Sequence, residues 1–141
     1  MSRGKTRRRT ERQGAARVYR HRQYGPRQAE ELVEIDTVLQ TRPELVTAVA
    51  ADIATTMPGE QTMTAEQCLR AFIIKDMNGY DYAVLANKLA DSRSYEAFCL
   101  TDAVHAGPRS RQTLEVYLER LSNETIEKIH AALSQRDEQK T

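Results

Sequence analysis

Four consecutive polar residues, Ser110, Arg111, Gln112 and Thr113, combine hydrogen-bond donors and acceptors with one positive charge. Such groups suit the surface of a DNA duplex. An arginine can donate two hydrogen bonds to guanine O6 and N7, and a glutamine can pair with the edge of an adenine. Hydroxyl groups can bind phosphate oxygens, which a helix amino terminus also attracts. The alternative is that Arg111 and Gln112 are ordinary exposed side chains, and their spacing does not decide between the two.

These four residues stand at the start of a predicted helix, residues 110–121. Ser110 is a typical amino-terminal cap, and an apolar stripe of helical period follows it, formed by Leu114, Tyr117, Leu118 and Leu121. Further candidate DNA contacts are the neighbouring Arg93, Arg109 and Arg120, together with Arg7, Arg8 and Arg9 near the amino terminus. Glu115 and Glu119 dilute the positive charge of this surface.

The preceding sequence predicts the other helices that must hold this segment. Thr64 and Gln67 form a capping box, Asn78-Gly79 is a helix stop, and Asp81 can cap the next helix. No segment alternates with period two, so we predict an all-α, compact multi-helix domain of about seven helices. The residues expected to face its core are Leu32, Ile35, Leu39, Val46, Val49, Ile53, Leu69, Ala71, Phe72, Ile73, Ile74, Met77, Tyr82, Leu85, Ala86, Leu89, Tyr95, Phe98, Cys99, Ile126, Ile129, His130 and Leu133.

The order of these helices suggests a helix-turn-helix-like element. In such an element one helix braces a second, whose first residues enter the major groove. The short helix over residues 82–90 would be the brace, and the helix over residues 110–121 would be the second helix.

The first 27 residues differ in composition from the rest. They carry ten Lys or Arg and one acid, a net +9, whereas the remaining residues carry eleven bases and nineteen acids, a net −8. Few aliphatic side chains occur there, so we expect a disordered Arg-rich arm, followed by a domain over residues 28–136 and a polar tail over residues 137–141. Arginines attract phosphates without regard to sequence. Tyr19 and Tyr24 would also permit stacking on RNA, so the arm does not distinguish DNA from RNA.

Other functional classes have little support in the sequence. There is no glycine-rich phosphate loop, no HExxH pair and no nucleophile elbow, and the acids are scattered, so we expect no enzyme and no cofactor. Cys68 and Cys99 lie in apolar helical patterns and are expected to be reduced core residues, with no metal site. We find no secretory signal and no apolar run of the roughly 20 residues that a membrane span needs, so a cytoplasmic, nucleoid-associated protein is expected.

Several motifs together resemble the amino-terminal region of bacterial insertion-sequence DDE transposases. They are MTAEQCLRAFIIKDMNG, the following YDYAVLANKLADSRSYEAFCL, and SRQTLEVYLERLSNETIEKIHAAL, with ELVEIDTVLQTRPELVTAVAADI ahead of them. The similarity runs from about Glu31 to Gln135. It implies a helical module that binds double-stranded DNA at the terminal inverted repeats of the element. In that family a later RNase H-like domain, with three carboxylates that hold divalent metal, cuts and joins the DNA. Thr141 precedes any such domain, so no catalytic residue carries over.

Two explanations of the short chain remain open at this stage. It can be a remnant or one part of a split transposase, with a catalytic transposase chain as partner, or a regulator that binds the ends of the element alone. A homodimer is compatible with either. A different class of function is a helical protein-interaction module with a non-specific nucleic-acid-binding arm, which the −8 charge of residues 28–141 favours.

Overall fold

The computed structural model describes Tyr19 and residues 26–54, 63–101 and 110–140, with side chains over 29–54, 63–101 and 110–135. Seven helices and no strand occur within these ranges, which confirms the predicted all-α class. The helices are α1 (Pro26–Thr41), α2 (Pro43–Ile53), α3 (Ala65–Asn78), α4 (Tyr82–Asp91), α5 (Arg93–Phe98), α6 (Arg111–Leu118) and α7 (Asn123–Lys140).

Both ends of α3 and the start of α4 lie where the local sequence signals place them, whereas α6 ends at Leu118 and not at the predicted residue 121. The capping box of α3 forms: the Gln67 amide donates to Thr64 Oγ1, and the Thr64 amide donates to Gln67 Oε1, each at 3.0 Å. Gly79 ends α3 with a left-handed φ of 67°, a conformation that glycine adopts without steric cost. Asp81 then caps α4 by accepting a 2.8 Å hydrogen bond from the Val84 amide. Both predicted caps and the predicted stop are therefore confirmed.

Helix α3 occupies the centre of the domain and packs against α2, α4 and α6. It is buried around most of its circumference, as its apolar sequence predicts. In α2 the predicted face is only partly right. Val49 is buried, but Val46 and Ile53 are half-buried, and Leu45 faces the core instead. Leu45 and Val49 are four residues apart, which places them on one side of the helix.

Two buried charged residues link the helices in a way that the sequence did not reveal. Arg70 of α3 donates to the carboxylate of Asp36 on α1 at 2.7 Å and to the carbonyl oxygen of Phe98 on α5 at 3.1 Å. Asp76, also on α3, lies 2.7 Å from Nε2 of His130 on α7. His130 is thus a half-buried, paired histidine, consistent with its predicted place beside the core.

The two ends of the domain differ from the boundaries expected from composition. Helix α1 begins at Pro26, before the expected boundary at Gln28, and Tyr19 is buried in the hydrophobic core. Tyr19 is therefore not an exposed stacking residue, because its ring already packs against the domain. At the other end α7 continues to Lys140, through residues that favour helix and include no glycine or proline. With the exception of Tyr19, the residues before Pro26, Tyr24 among them, lie outside the described residues.

Candidate nucleic-acid interface

Helix α6 is fixed to the domain by its apolar face. Leu114, Tyr117 and Leu118 are buried, and Leu121, three residues beyond the end of the helix, is buried as well. The helix packs against α3 and α4. The first turn of α6 is therefore held by the core, while the polar residues at its start face outward.

Ser110 caps α6, as predicted, and its side chain is already engaged. Its Oγ accepts a 3.2 Å hydrogen bond from the Thr113 amide and lies 2.8 Å from Thr113 Oγ1. The two hydroxyl groups hold each other in place, so a phosphate would have to share them. The amides of Arg111 and Gln112 come before the first backbone hydrogen bond of the helix, from Leu114 to Ser110. They are the donors that a helix amino terminus leaves for an external acceptor.

Arg111 and Gln112 are both exposed, and neither side chain bonds to any residue in the described ranges. Their hydrogen-bond donors are therefore available to a ligand. The structure places them as the sequence predicts, side by side in the first turn of α6. It brings no acidic partner to Arg111 within the described part of the chain.

The cations of the domain divide into two groups. Eight Lys or Arg side chains are described. Four of them are engaged: Arg42 with Glu44, Arg70 with Asp36 and Glu66, Lys75 over the ring of Tyr82, and Lys128 with Glu124. The other four are Lys88, Arg93, Arg111 and Arg120, which are exposed and have no ion pair among the described residues. All four belong to the segment that contains α4, α5 and α6.

These four cations do not form one continuous row. Arg111 begins α6, whereas Arg120 lies two residues beyond the end of this helix at Leu118, so helical periodicity does not relate their directions. Arg93 is the first residue of α5, which packs on α4. Two exposed acids, Glu115 on α6 and Glu119 directly after it, lie between Arg111 and Arg120 in the chain. Arg7, Arg8, Arg9 and Arg109, also candidate contacts, lie outside the described residues.

Two exposed residues, Lys88 on α4 and Val116 on α6, were not predicted from the sequence as candidate contacts. Lys88 lies on the polar face of α4, where alternation of charged and small residues makes it look like any solvated lysine. Val116 is an apolar residue on the exposed side of α6, with 49% of its surface exposed. Its exposure could have been predicted, because it lies outside the apolar stripe of Leu114, Tyr117 and Leu118.

The cysteines and acids offer no competing site in the described ranges. Cys68 and Cys99 are buried and unpaired with each other, as predicted for core residues. Burial, followed by the charge of Asp52, raises the pKa of the Cys68 thiol to about 12. Burial also raises the pKa of the Cys99 thiol above its ordinary range. No group of three or more His, Cys, Asp or Glu in the described ranges could hold a metal ion.

No helix in these ranges is both long and apolar enough to cross a membrane. Comparison with protein-family models, with curated proteins and with solved structures finds no match for this chain. The resemblance to insertion-sequence transposases therefore rests on the sequence motifs alone.

Proposed function

We propose that this chain binds double-stranded DNA through the start of α6, at the terminal inverted repeats of an insertion element. The observation that carries the proposal is the pair Arg111 and Gln112. Both are exposed in the first turn of a helix that the core holds firmly, and neither has a partner in the described ranges. Because the packed backbone that carries them is already ordered, binding to a base has to order only the two side chains.

The charge distribution supports an approach of DNA from the side of α4 and α6. Residues 26–54, which form α1 and α2, contain six carboxylates and two arginines, a net −4. The four described cations that have neither an ion pair nor a ring contact, Lys88, Arg93, Arg111 and Arg120, lie instead between the start of α4 and the turn after α6. The acidic helices would face away from the duplex in this arrangement. The basic arm would add a non-specific attraction that falls with salt.

Each residue then has a separate role. Arg111 pairs with guanine, Gln112 pairs with adenine, and the first amides of α6 bind a phosphate. Lys88, Arg93 and Arg120 contact phosphates and set the position of the duplex. The proposal assigns no catalytic step to the residues of this chain.

Selection of duplexes from a random pool tests the proposal without knowledge of the site. The full chain, in moderate salt, is expected to enrich one motif and to bind it at least tenfold more tightly than a scrambled duplex, about 1.4 kcal/mol. The motif should also occur as inverted copies on both sides of the reading frame in its own DNA. Equal affinity for all duplexes would contradict base recognition, and a motif absent from the flanking DNA would contradict the transposon ends as its target.

A second candidate function is binding of another protein through α1. Val33 is 67% exposed there, at a shallow open depression that it lines with Ala29, Glu30 and Glu34. An apolar side chain ringed by acids suits a partner with basic residues around an apolar contact. A Val33→Ala variant that loses a protein partner while it keeps the duplex motif would favour this function.

A further inference from the structure

Val116 is an exposed apolar residue that the packing of α6 does not explain. The apolar face of this helix is complete with Leu114, Tyr117 and Leu118, all buried. Val116 lies outside that face with 49% of its surface exposed. Valine is a poorer helix former than the polar residues common at such positions, so it offers α6 no local advantage.

Val116 lies one helical turn after Gln112, on the same side of α6. Residues four apart on a helix have Cβ atoms about 5–6 Å from each other. The neighbouring row is formed by Arg111 and Glu115, also four residues apart and both exposed. The outer side of α6 thus presents two short rows, one charged and one formed by an amide and an apolar group.

Resting on the DNA-binding function proposed above, we infer that Val116 contacts the 5-methyl group of a thymine next to the adenine that Gln112 recognises. The thymine methyl is the one apolar group that a base presents in the major groove, and it marks A·T pairs there. Gln112 supplies hydrogen bonds to adenine N6 and N7, and Val116 supplies an apolar surface for the methyl group. The row formed by Gln112 and Val116 therefore selects A·T pairs.

The row formed by Arg111 and Glu115 would select G·C pairs in the same way. Arg111 can donate to guanine, and the carboxylate of Glu115 can accept from the N4 amino group of cytosine. The two rows point about 100° apart around the helix axis, because the helix has 3.6 residues per turn. A target with a G·C pair next to an A·T pair follows from this arrangement.

Replacement of thymine by deoxyuridine tests the contact, since it removes only the methyl group. The duplex motif enriched by the full-length protein is prepared with thymine or deoxyuridine at each position, and affinity is measured by fluorescence anisotropy. At one position beside an adenine, deoxyuridine should weaken binding of the unaltered protein about threefold to fivefold, the effect of one buried methyl-sized group. Val116→Ala should bind the thymine duplex more weakly and should no longer distinguish thymine from deoxyuridine.

Val33→Ala is the matched control, because Val33 is also an exposed valine, with 67% of its surface exposed, and lies on α1, which the proposal places away from the duplex. This variant should keep the full sensitivity to deoxyuridine. Circular dichroism of both variants should show unchanged helix content, since neither side chain is part of the core.

The experiment distinguishes failure of the Val116 inference from failure of the DNA-binding proposal. A motif that is enriched but shows equal affinity for thymine and deoxyuridine at every position overturns the role of Val116 and leaves DNA binding intact. The same holds if Val116→Ala remains as sensitive as the unaltered protein. Enrichment of no motif overturns the DNA-binding function, and the inference about Val116 with it.

Discussion

Arg70 is buried in α3 with two carboxylates and a carbonyl oxygen around it, whereas Arg111 is exposed at the start of α6 with no partner in the described ranges. The guanidinium group of Arg70 is thus part of the packing between helices, whereas the guanidinium group of Arg111 is available to a ligand. Arginine presents its donors in a planar fork, which suits a guanine edge as well as a carboxylate. Of these two arginines, Arg111 is the one whose fork is free for a ligand among the described residues.

Arg111→Ala should weaken binding to the enriched duplex by roughly 1–3 kcal/mol, because one bidentate base contact is lost. Binding to scrambled duplexes should change much less, so the preference for the motif should fall. Fluorescence anisotropy with both duplexes measures the two losses. Lys128→Ala is the control, since Lys128 is paired with Glu124 on α7 and lies outside the proposed interface. Equal losses on both duplexes would make Arg111 a phosphate contact only.

The sequence predicted the residues at the start of α6 but not the buried charges. Ser110 follows the ordinary preference for a cap, and Arg111 and Gln112 lie opposite an apolar stripe, so both predictions needed only local spacing. Arg70 and Asp76 pair with residues 34 and 54 positions away in the chain. Nothing in a single helix sequence shows such distant partners. They were therefore missed.

At the scale of elements, α3 joins the parts of the domain that bear the candidate interface. Arg70 links it to Asp36 on α1 and to the backbone of Phe98 on α5, and its guanidinium lies 5.0 Å from the centroid of the Phe98 ring. Helix α6 packs on the same central helix. The orientation of the interface therefore depends on the packing around α3.

Arg70→Ala should lower the free energy of unfolding by about 3 kcal/mol, because it leaves a cavity and a carbonyl oxygen without its donor. Arg70→Met should cost less than half as much, since it keeps most of the volume and removes the buried charge. Urea denaturation followed by circular dichroism measures both. Asp36 and Glu66 are more than a third exposed, so water can replace their partner. Equal losses for Met and Ala would show that the charge and its hydrogen bonds, and not the packing, hold the three helices together.

The start and end of α3 and the start of α4 were predictable because they depend on local signals. The capping box of α3, Gly79 and Asp81 all act within four residues of the chain. The inward face of α2 was only partly predictable, because two apolar stripes compete in PELVTAVAADI. Packing against α3 decides between them in favour of Leu45 and Val49.

For the whole molecule, the near-neutral total of +1 conceals a basic amino-terminal segment and an acidic domain. This separation was visible in the sequence, since it needs only a count of charges. Which cations are ion-paired was not visible, because pairing depends on distances between helices. Tyr19 could not be predicted either, since its place in the core depends on contacts with the folded domain.

Replacement of Arg7, Arg8 and Arg9 by Gln should reduce the salt dependence of DNA binding. Each arginine that contacts a phosphate contributes about 0.9 to the slope of log affinity against log salt concentration. The triple variant should therefore lose up to about 2.7 in slope, on the enriched motif and on scrambled duplexes alike. Anisotropy at four or more salt concentrations measures it, with Lys128→Gln as control. An unchanged slope would show that these three arginines do not contact the duplex.

The central claim is that the start of α6 contacts DNA, and amide chemical shifts of the full, isotopically labelled chain test it most directly. On addition of a duplex, we expect the largest changes at Arg111, Gln112 and the residues that follow to Val116. The amides of the acidic helices α1 and α2 should change little. Changes confined to residues 1–25, or centred on α1 and α2, would contradict the claim, because α6 would then remain an unoccupied surface helix.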